Sequence, residues 1–215
     1  MRAVQMDLIA VVFALALVFT VRLWGGALAG SCLRVASLGY ALPGTVLAIG
    51  LLPVVTGIEG LVDTAALATI GIPTGLFLLG SGAAVVYAYV VRFLAIPSGS
   101  FEAGMGRISP SVDAAARTLG AGPLRMFWRV HLPMLKPALA TGALLVFVDC
   151  MKELPATLLL RPLGFETLAT HLYGEAVRGT YEDAAIAALL IVVAGLVPVL
   201  LLVRVGVWGR GGEGG

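Results

Sequence analysis

The sequence predicts an all-α membrane protein, a polytopic transmembrane helical bundle of about five spans. Three observations carry this. Of its 215 residues, 60% are hydrophobic and only 12% charged, about half the charge of a soluble domain. Mean hydropathy is +1.03. The apolar residues also gather into runs of roughly 20, the length that crosses a hydrocarbon core.

The first run, Leu8–Trp24, has no clear small-residue cleavage site before the next span, so it reads as a span and not as a signal peptide. The second, Tyr40–Ile58, contains Pro43 and Pro53 and should be kinked. The third and fourth are Thr74–Ile96 and Ala138–Leu160, and the fifth is Ala184–Val207. Small residues recur inside them: Gly44 and Ala48 in the second, Gly80, Gly82, Ala83 and Ala84 in the third. In lipid, small residues let helices approach closely. A single transmembrane domain over residues 1–215 is expected, with its longest polar connection at 97–137.

That connection holds the most informative stretch, Ser109–Pro137. It carries Arg117, Arg125, Arg129 and Lys136 against one acid, Asp113. Ser109-Pro110 is a helix start, with Ser as cap and Pro where its missing N–H costs nothing. Val112–Leu119 should be helical, and Gly120, Gly122 and Pro123 should stop it. A second helix is expected from Pro123 to His131, ended by Leu132-Pro133.

Basic residues orient the chain. With Ser109–Pro137 inside, alternation puts Gly25–Gly39 and the C-terminus inside, and Glu59–Pro73 and Arg161–Asp183 outside. All the basic residues except Arg2, Lys152, Arg161 and Arg178 then fall inside or at inner span ends, Arg92 among them, in keeping with the positive-inside rule. Two acids and no basic residue mark Glu59–Pro73.

The fourth span is peculiar because Asp149, Lys152 and Glu153 interrupt its outer end and Pro155 comes just after them. Spacings of three and four allow all three charges to share one helix face. Charges at membrane depth are costly and face a bundle interior or a water-filled cavity. Two readings stand: an ion pair locking two helices, or part of a translocation path or its outer gate. Cys32 and Cys150 form no CxxC, and there is no Cys/His cluster, so neither a disulfide framework nor a zinc site is indicated. His131 and His171 fall on opposite expected sides of the membrane and read as lone, packed or solvated histidines. No metal site is expected.

Within the Ser109–Pro137 stretch, Ala114-Ala115-Ala116, Gly120 and then Val130-His131-Leu132-Pro133 resemble the "EAA" signature of ABC importer permeases; an ordinary interhelical loop rich in Ala and Gly is the alternative. The spacing from Gly120 to Val130, Leu132 and Pro133 fits. The Glu position falls on Ala114, and the nearest acid, Asp113, comes one residue early. Three further stretches, Ala36–Leu52, Tyr89–Ile96 and Val146–Thr170, resemble the ferric-iron permeases, with thiamine and phosphonate permeases as close relatives. The resemblance covers roughly Val35 to Arg204 and is to the second half of such tandem chains.

The resemblance implies a MetI-like permease fold in the bacterial inner membrane, with the loop and the C-terminus cytoplasmic. It implies a coupling role for Asp113, Ala114, Ala115, Ala116, Gly120, Val130, Leu132 and Pro133, docked on cytoplasmic ABC ATPase subunits. It further implies a second permease half or a second copy, a periplasmic substrate-binding protein and surrounding lipid as partners, with no nucleic acid. The chain has no GxxxxGK[ST] loop, so no cofactor of its own is expected and ATP belongs to a partner. Ferric iron is the expected substrate, with thiamine or a phosphonate as alternatives. A membrane-embedded enzyme using Asp149, Lys152 and Glu153 as acid–base groups, or a non-transporting scaffold, are the rivals from other classes.

Overall fold

A computed structural model describes Ser31, Arg34, Val35 and residues 38–210, with the side chains of the last helix described to about residue 200. The expected span Leu8–Trp24 lies outside the described residues, as do Arg22 and Cys32. Every regular element among the described residues is helical. A short helical stretch at 38–41 ends at Leu42-Pro43. Then come α1 (Gly44–Ile70), α2 (Phe77–Ser81), α3 (Ala83–Phe93) and α4 (Ala95–Gly106). The middle of the chain forms α5 (Pro110–Thr118), α6 (Pro123–Met126), a π-turn (Phe127–His131) and α7 (Leu132–Met134). The rest is α8 (Lys136–Met151), α9 (Pro155–Leu160), α10 (Leu168–Arg178) and α11 (Tyr181–Arg210).

Helix α1 is 27 residues long and contains Pro53. It runs through Glu59 to Ile70, so most of the expected loop Glu59–Pro73 is helix. Nothing in that stretch breaks a helix before Gly71; an acid ends an apolar window but not an α-helix. The two acids instead hold the connection between α1 and α2. Glu59, 3% exposed, accepts hydrogen bonds from the Leu78 and Leu79 N–H groups at 2.7 and 2.9 Å, groups that a helix start leaves without an internal partner. One turn on, Asp63 Oδ1 accepts from the N–H groups of Thr74 and Gly75.

The third expected span, Thr74–Ile96, is broken. Helices α3 and α4 meet at 42° around Leu94 and together run to Gly106. Pro97 supplies no N–H to the Phe93 carbonyl, and that missing bond is the cause of the bend. The fourth, Ala138–Leu160, breaks at Lys152–Leu154 into α8 and α9. Ahead of it, α6 through α7 and α8 are bent by 72° at Leu135. Among the described residues, one helix, Gly44–Ile70, is by itself long and apolar enough to cross a membrane, or up to three segments if each bent pair counts as one.

Two cores form. The larger gathers Ala48 and Val55 of α1, Ala84, Val85, Ala88, Tyr89 and Phe93 of α3, Val146 and Cys150 of α8, Ala156 and Leu160 of α9, and Phe165. The smaller, under α5, joins Phe101, Met105, Ile108 and Leu135, with Val112, Ala138 and Leu139 against it. Of the small residues in the expected spans, Gly44, Ala48 and Ala84 are buried at contacts, whereas Gly80 faces open space. Outside these cores α1 and α11 show bare apolar surface, with Leu61 at 74% and Leu189 at 64% exposure. Helices that stay apolar on their outer faces suit lipid or another subunit, not water.

Candidate functional site

Two polar clusters sit at breaks in helices. The first lies in the middle of the bundle. At the end of α8, Asp149 and Lys152 pair at 2.7 Å, and the Tyr40 hydroxyl donates to Asp149 Oδ2 at 3.2 Å. Glu153 does not join them on a shared face. Helix α8 has already ended, because Pro155 opens α9 and cannot continue the ladder of α8, so Glu153 turns inward. It is 6% exposed. Its Oε2 lies 3.1 Å from Arg92 Nε on α3, and its Oε1 accepts from the Ala156 N–H at the start of α9.

Arg92 also donates to the Leu42 carbonyl, left without an intrahelical donor by the break at Leu42-Pro43. One guanidinium thus ties two helix breaks together. Gly44 makes this possible, since a Cβ there would lie 2.5 Å from Glu153 Oε1 and 3.3 Å from Arg92 Nη1. Beside the pair, the Tyr89 hydroxyl meets Thr157 Oγ1 within the larger core. Arg92 sits beside the acid of the fourth span, at the same depth in the bundle.

The second cluster lies in the stretch 107–137, the tip segment that leads from α4 into α8. Ser109 caps α5, its hydroxyl accepting from the Ser111 N–H, with Pro110 in the first turn. Gly120 comes after the helix with φ +74°, a conformation that costs any residue with a Cβ. The second helix does not stop at Leu132-Pro133. It widens into the π-turn, where the Leu132 N–H bonds the Phe127 carbonyl, and then continues through Pro133 to Met134. An α-turn would set the proline ring against the carbonyl four residues back; the wider turn moves that carbonyl away.

On α5, Ala114, Ala115, Arg117 and Thr118 are exposed while Asp113 and Ala116 are buried. Asp113 points inward, and His131 Nε2, in a fully buried ring, lies 2.8 Å from its Oδ1. Val130 and Leu132 are half-buried, and Pro133 is exposed. The outer surface of the stretch carries Leu119, Leu124 and Trp128 at 82%, 69% and 59% exposure, between Arg117, Arg125 and Arg129.

The geometry is that of a helical membrane component with a short, capped, exposed helix between bundle segments. Residues 8–207 match the family model of the binding-protein-dependent transport system inner membrane component. The chain belongs to that family. Among its relatives, the Fe(3+)-transport system permease protein FbpB 2 of Haemophilus influenzae is 30% identical over 118 residues, 55% of this chain and 23% of that protein. A putative 2-aminoethylphosphonate transport system permease protein PhnV of Salmonella choleraesuis is 30% identical over 58% of this chain and 47% of its own length. The molybdenum transport system permease protein ModB of Mycobacterium bovis is 34% identical over 67% of this chain and 57% of its own.

The chain thus spans between about a quarter and somewhat over half of these relatives' lengths. Two solved bacterial alginate ABC transporters share the fold. One has a TM-score of 0.66 at 17% identity over 95% of this chain and 77% of that one. The other, in complex with an alginate pentasaccharide-bound periplasmic protein, has a TM-score of 0.68 at 19% identity over 93% and 74%.

The sequence singled out Asp149, Lys152 and Glu153 in the bundle and Asp113 in the stretch 107–137, but not the partners of Glu153 and Asp113. Arg92 and Tyr40 were missed as partners in the bundle, and His131 as the partner of Asp113; Gly44 was read as a small packing residue and not as room for the Arg92–Glu153 pair. Neither histidine is lone. His171 Nδ1, half-exposed on α10, lies 3.5 Å from Glu166 and 3.9 Å from Glu175. The Thr180 hydroxyl on Glu175, with Arg178 and His171 near it, holds that carboxyl below its ordinary range against a smaller opposing effect of burial. The one available signal for Arg92 was a basic residue inside an otherwise apolar run.

Proposed function

We propose that this permease is a subunit of an ABC importer for ferric iron, with α5 docking on a cytoplasmic ATPase and the Asp149–Glu153 region forming part of the translocation path or its gate. Membership of the family over residues 8–207 carries this reading. Two features of the molecule support the roles within it. Helix α5 stands out from the smaller core with an exposed face of Ala114, Ala115, Arg117 and Thr118, closed by the Ser109 cap and the Gly120 turn. In the bundle, buried charge gathers where α8 breaks and where Arg92 clasps Glu153. Such charge marks functional paths in membrane proteins. In this reading Pro155 keeps the α8–α9 break open, the chain binds no cofactor, and ATP is hydrolysed by the partner. A second permease half or a second copy completes the path, and a periplasmic binding protein delivers the substrate.

Iron rests on the likeness to an Fe(3+) permease. A second reading, an oxyanion such as a phosphonate or molybdate, is favoured by likeness to proteins named for those substrates. Vesicles holding the chain with its ATPase and binding protein should take up labelled ferric iron when ATP is present on the ATPase side. Uptake of 2-aminoethylphosphonate or molybdate without iron would replace the substrate. ATP-driven uptake of none of the three, with no ATPase bound, would remove the importer reading.

A further inference from the structure

We infer that His131 is a positioning residue for α5: its buried hydrogen bond to Asp113 fixes the docking helix against the helical arm that leads into α8. The inference rests on the reading of α5 as the segment that engages an ATPase.

Helix α5 has nine residues, too few for an isolated helix to hold its shape or direction in water. On its C-terminal side it is joined to the next helix through Gly120, whose surroundings are open. Its attitude must therefore come from side chains that reach the rest of the protein. Val112 does so by packing on the smaller core. Asp113 does so through a directional bond of 2.8 Å. The ring N–H donates and the carboxylate accepts, in a place where water does not compete for either.

The other end of that bond is placed with equal care. His131 closes the π-turn. Around that turn Arg125 and Arg129 face outward while His131 is fully enclosed. Four residues on, Leu135 is 1% exposed in the smaller core, and from there α8 runs to the break at Lys152. A displacement of α5 thus reaches the base of α8 through Asp113 and His131. The acid that comes one residue early in the signature acts from the inside of the loop and not on its docking surface.

The test compares His131→Gln, which keeps an N–H donor, with His131→Leu, which keeps bulk and loses it. In the full chain in nanodiscs, lacking Cys32 and Cys150, a spin label at Thr118→Cys reports the motion of α5 with no ATPase present. It should be restrained in the parent and in His131→Gln and loosened in His131→Leu. With ATPase and loaded binding protein, substrate-stimulated hydrolysis should fall roughly tenfold in His131→Leu, stay within about threefold of the parent in His131→Gln, and fall no further when Asp113→Ala is added, as expected of two residues acting as one unit. The Asp113→Ala/His131→Leu pair carries no buried charge, so it keeps the comparison available should the single variant not accumulate. Unchanged label motion and unchanged stimulation in both His131→Leu and the pair would overturn the inference, as would equal damage from Gln and Leu. A parent that binds no ATPase would instead remove the docking reading, and the label arm tells the two failures apart.

Discussion

The tip and the middle of the bundle each place buried charge beside a helix break, but they do it with different degrees of closure. At the tip, Asp113 and His131 are enclosed, with side chains at 8% and 0% exposure, and they join two short helices. In the bundle the charges divide. Arg92 and Glu153 are nearly enclosed at 18% and 7%, whereas Lys152 is 63% exposed over an Asp149 at 14%. An enclosed pair has few alternatives to its partner and fixes geometry; a half-wet pair exchanges its partner for water at little cost. A run of charge in an apolar span is therefore not one object. Here it is an enclosed pair, Arg92–Glu153, and a half-exposed one, Asp149–Lys152, one residue apart.

The largest effect is expected from opening the clasp. Glu153→Ala leaves Arg92 beside the Leu42 carbonyl without its counter-ion, and breaking a buried pair costs about 3–5 kcal/mol. Membrane abundance and the detergent melting temperature should drop sharply, and the double variant Arg92→Met/Glu153→Leu should recover much of both. A single variant as stable as the parent would place the clasp in water. Gly44→Ala should come next, because its Cβ meets Glu153 Oε1 at 2.5 Å; overpacking of this kind costs about 1–3 kcal/mol. The same melts measure it, and relief of the loss by Glu153→Ala would show that the two residues collide.

At the tip, Gly120→Val is expected to cost about 1–2 kcal/mol of local strain at a positive φ, with no loss of membrane insertion. ATPase association or substrate-stimulated hydrolysis should fall, and Gly120→Asn should be milder. Full coupling by Gly120→Val would detach the turn from docking. The smallest effect belongs to Lys152→Ala. Because the ammonium is well exposed and Asp149 keeps its bond to Tyr40, the loss should be at most about 1 kcal/mol; collapse of the protein would mean that Lys152 is buried against a partner. Orientation sharpens the comparison further. In intact cells lacking Cys32 and Cys150, an impermeant thiol reagent should modify Leu163→Cys, which is fully exposed, and not Ser111→Cys. The reverse would invert the chain in the membrane.

The sequence alone determined what depends on neighbours along the chain. Composition and run length set an all-α membrane protein. Ser109-Pro110 set the start of α5, Gly120 set its end, and spacings of one signature led to the family. The helix limits failed where the rule used was about polarity and not about hydrogen bonding: Glu59 did not end α1, and Pro133 did not end the second tip helix, because a π-turn cleared the ring. Only the tertiary structure decided which charge meets which. The spacing of Asp149, Lys152 and Glu153 suited a common face, but Pro155 ended the ladder and sent Glu153 to Arg92. Asp113 suited an outward docking acid, but the fold turned it to His131. Turns and caps are settled within a few residues, so they are written locally. An ion-pair partner is chosen by whichever side chain the packed helices bring within about 3 Å, and no local pattern carries that distance.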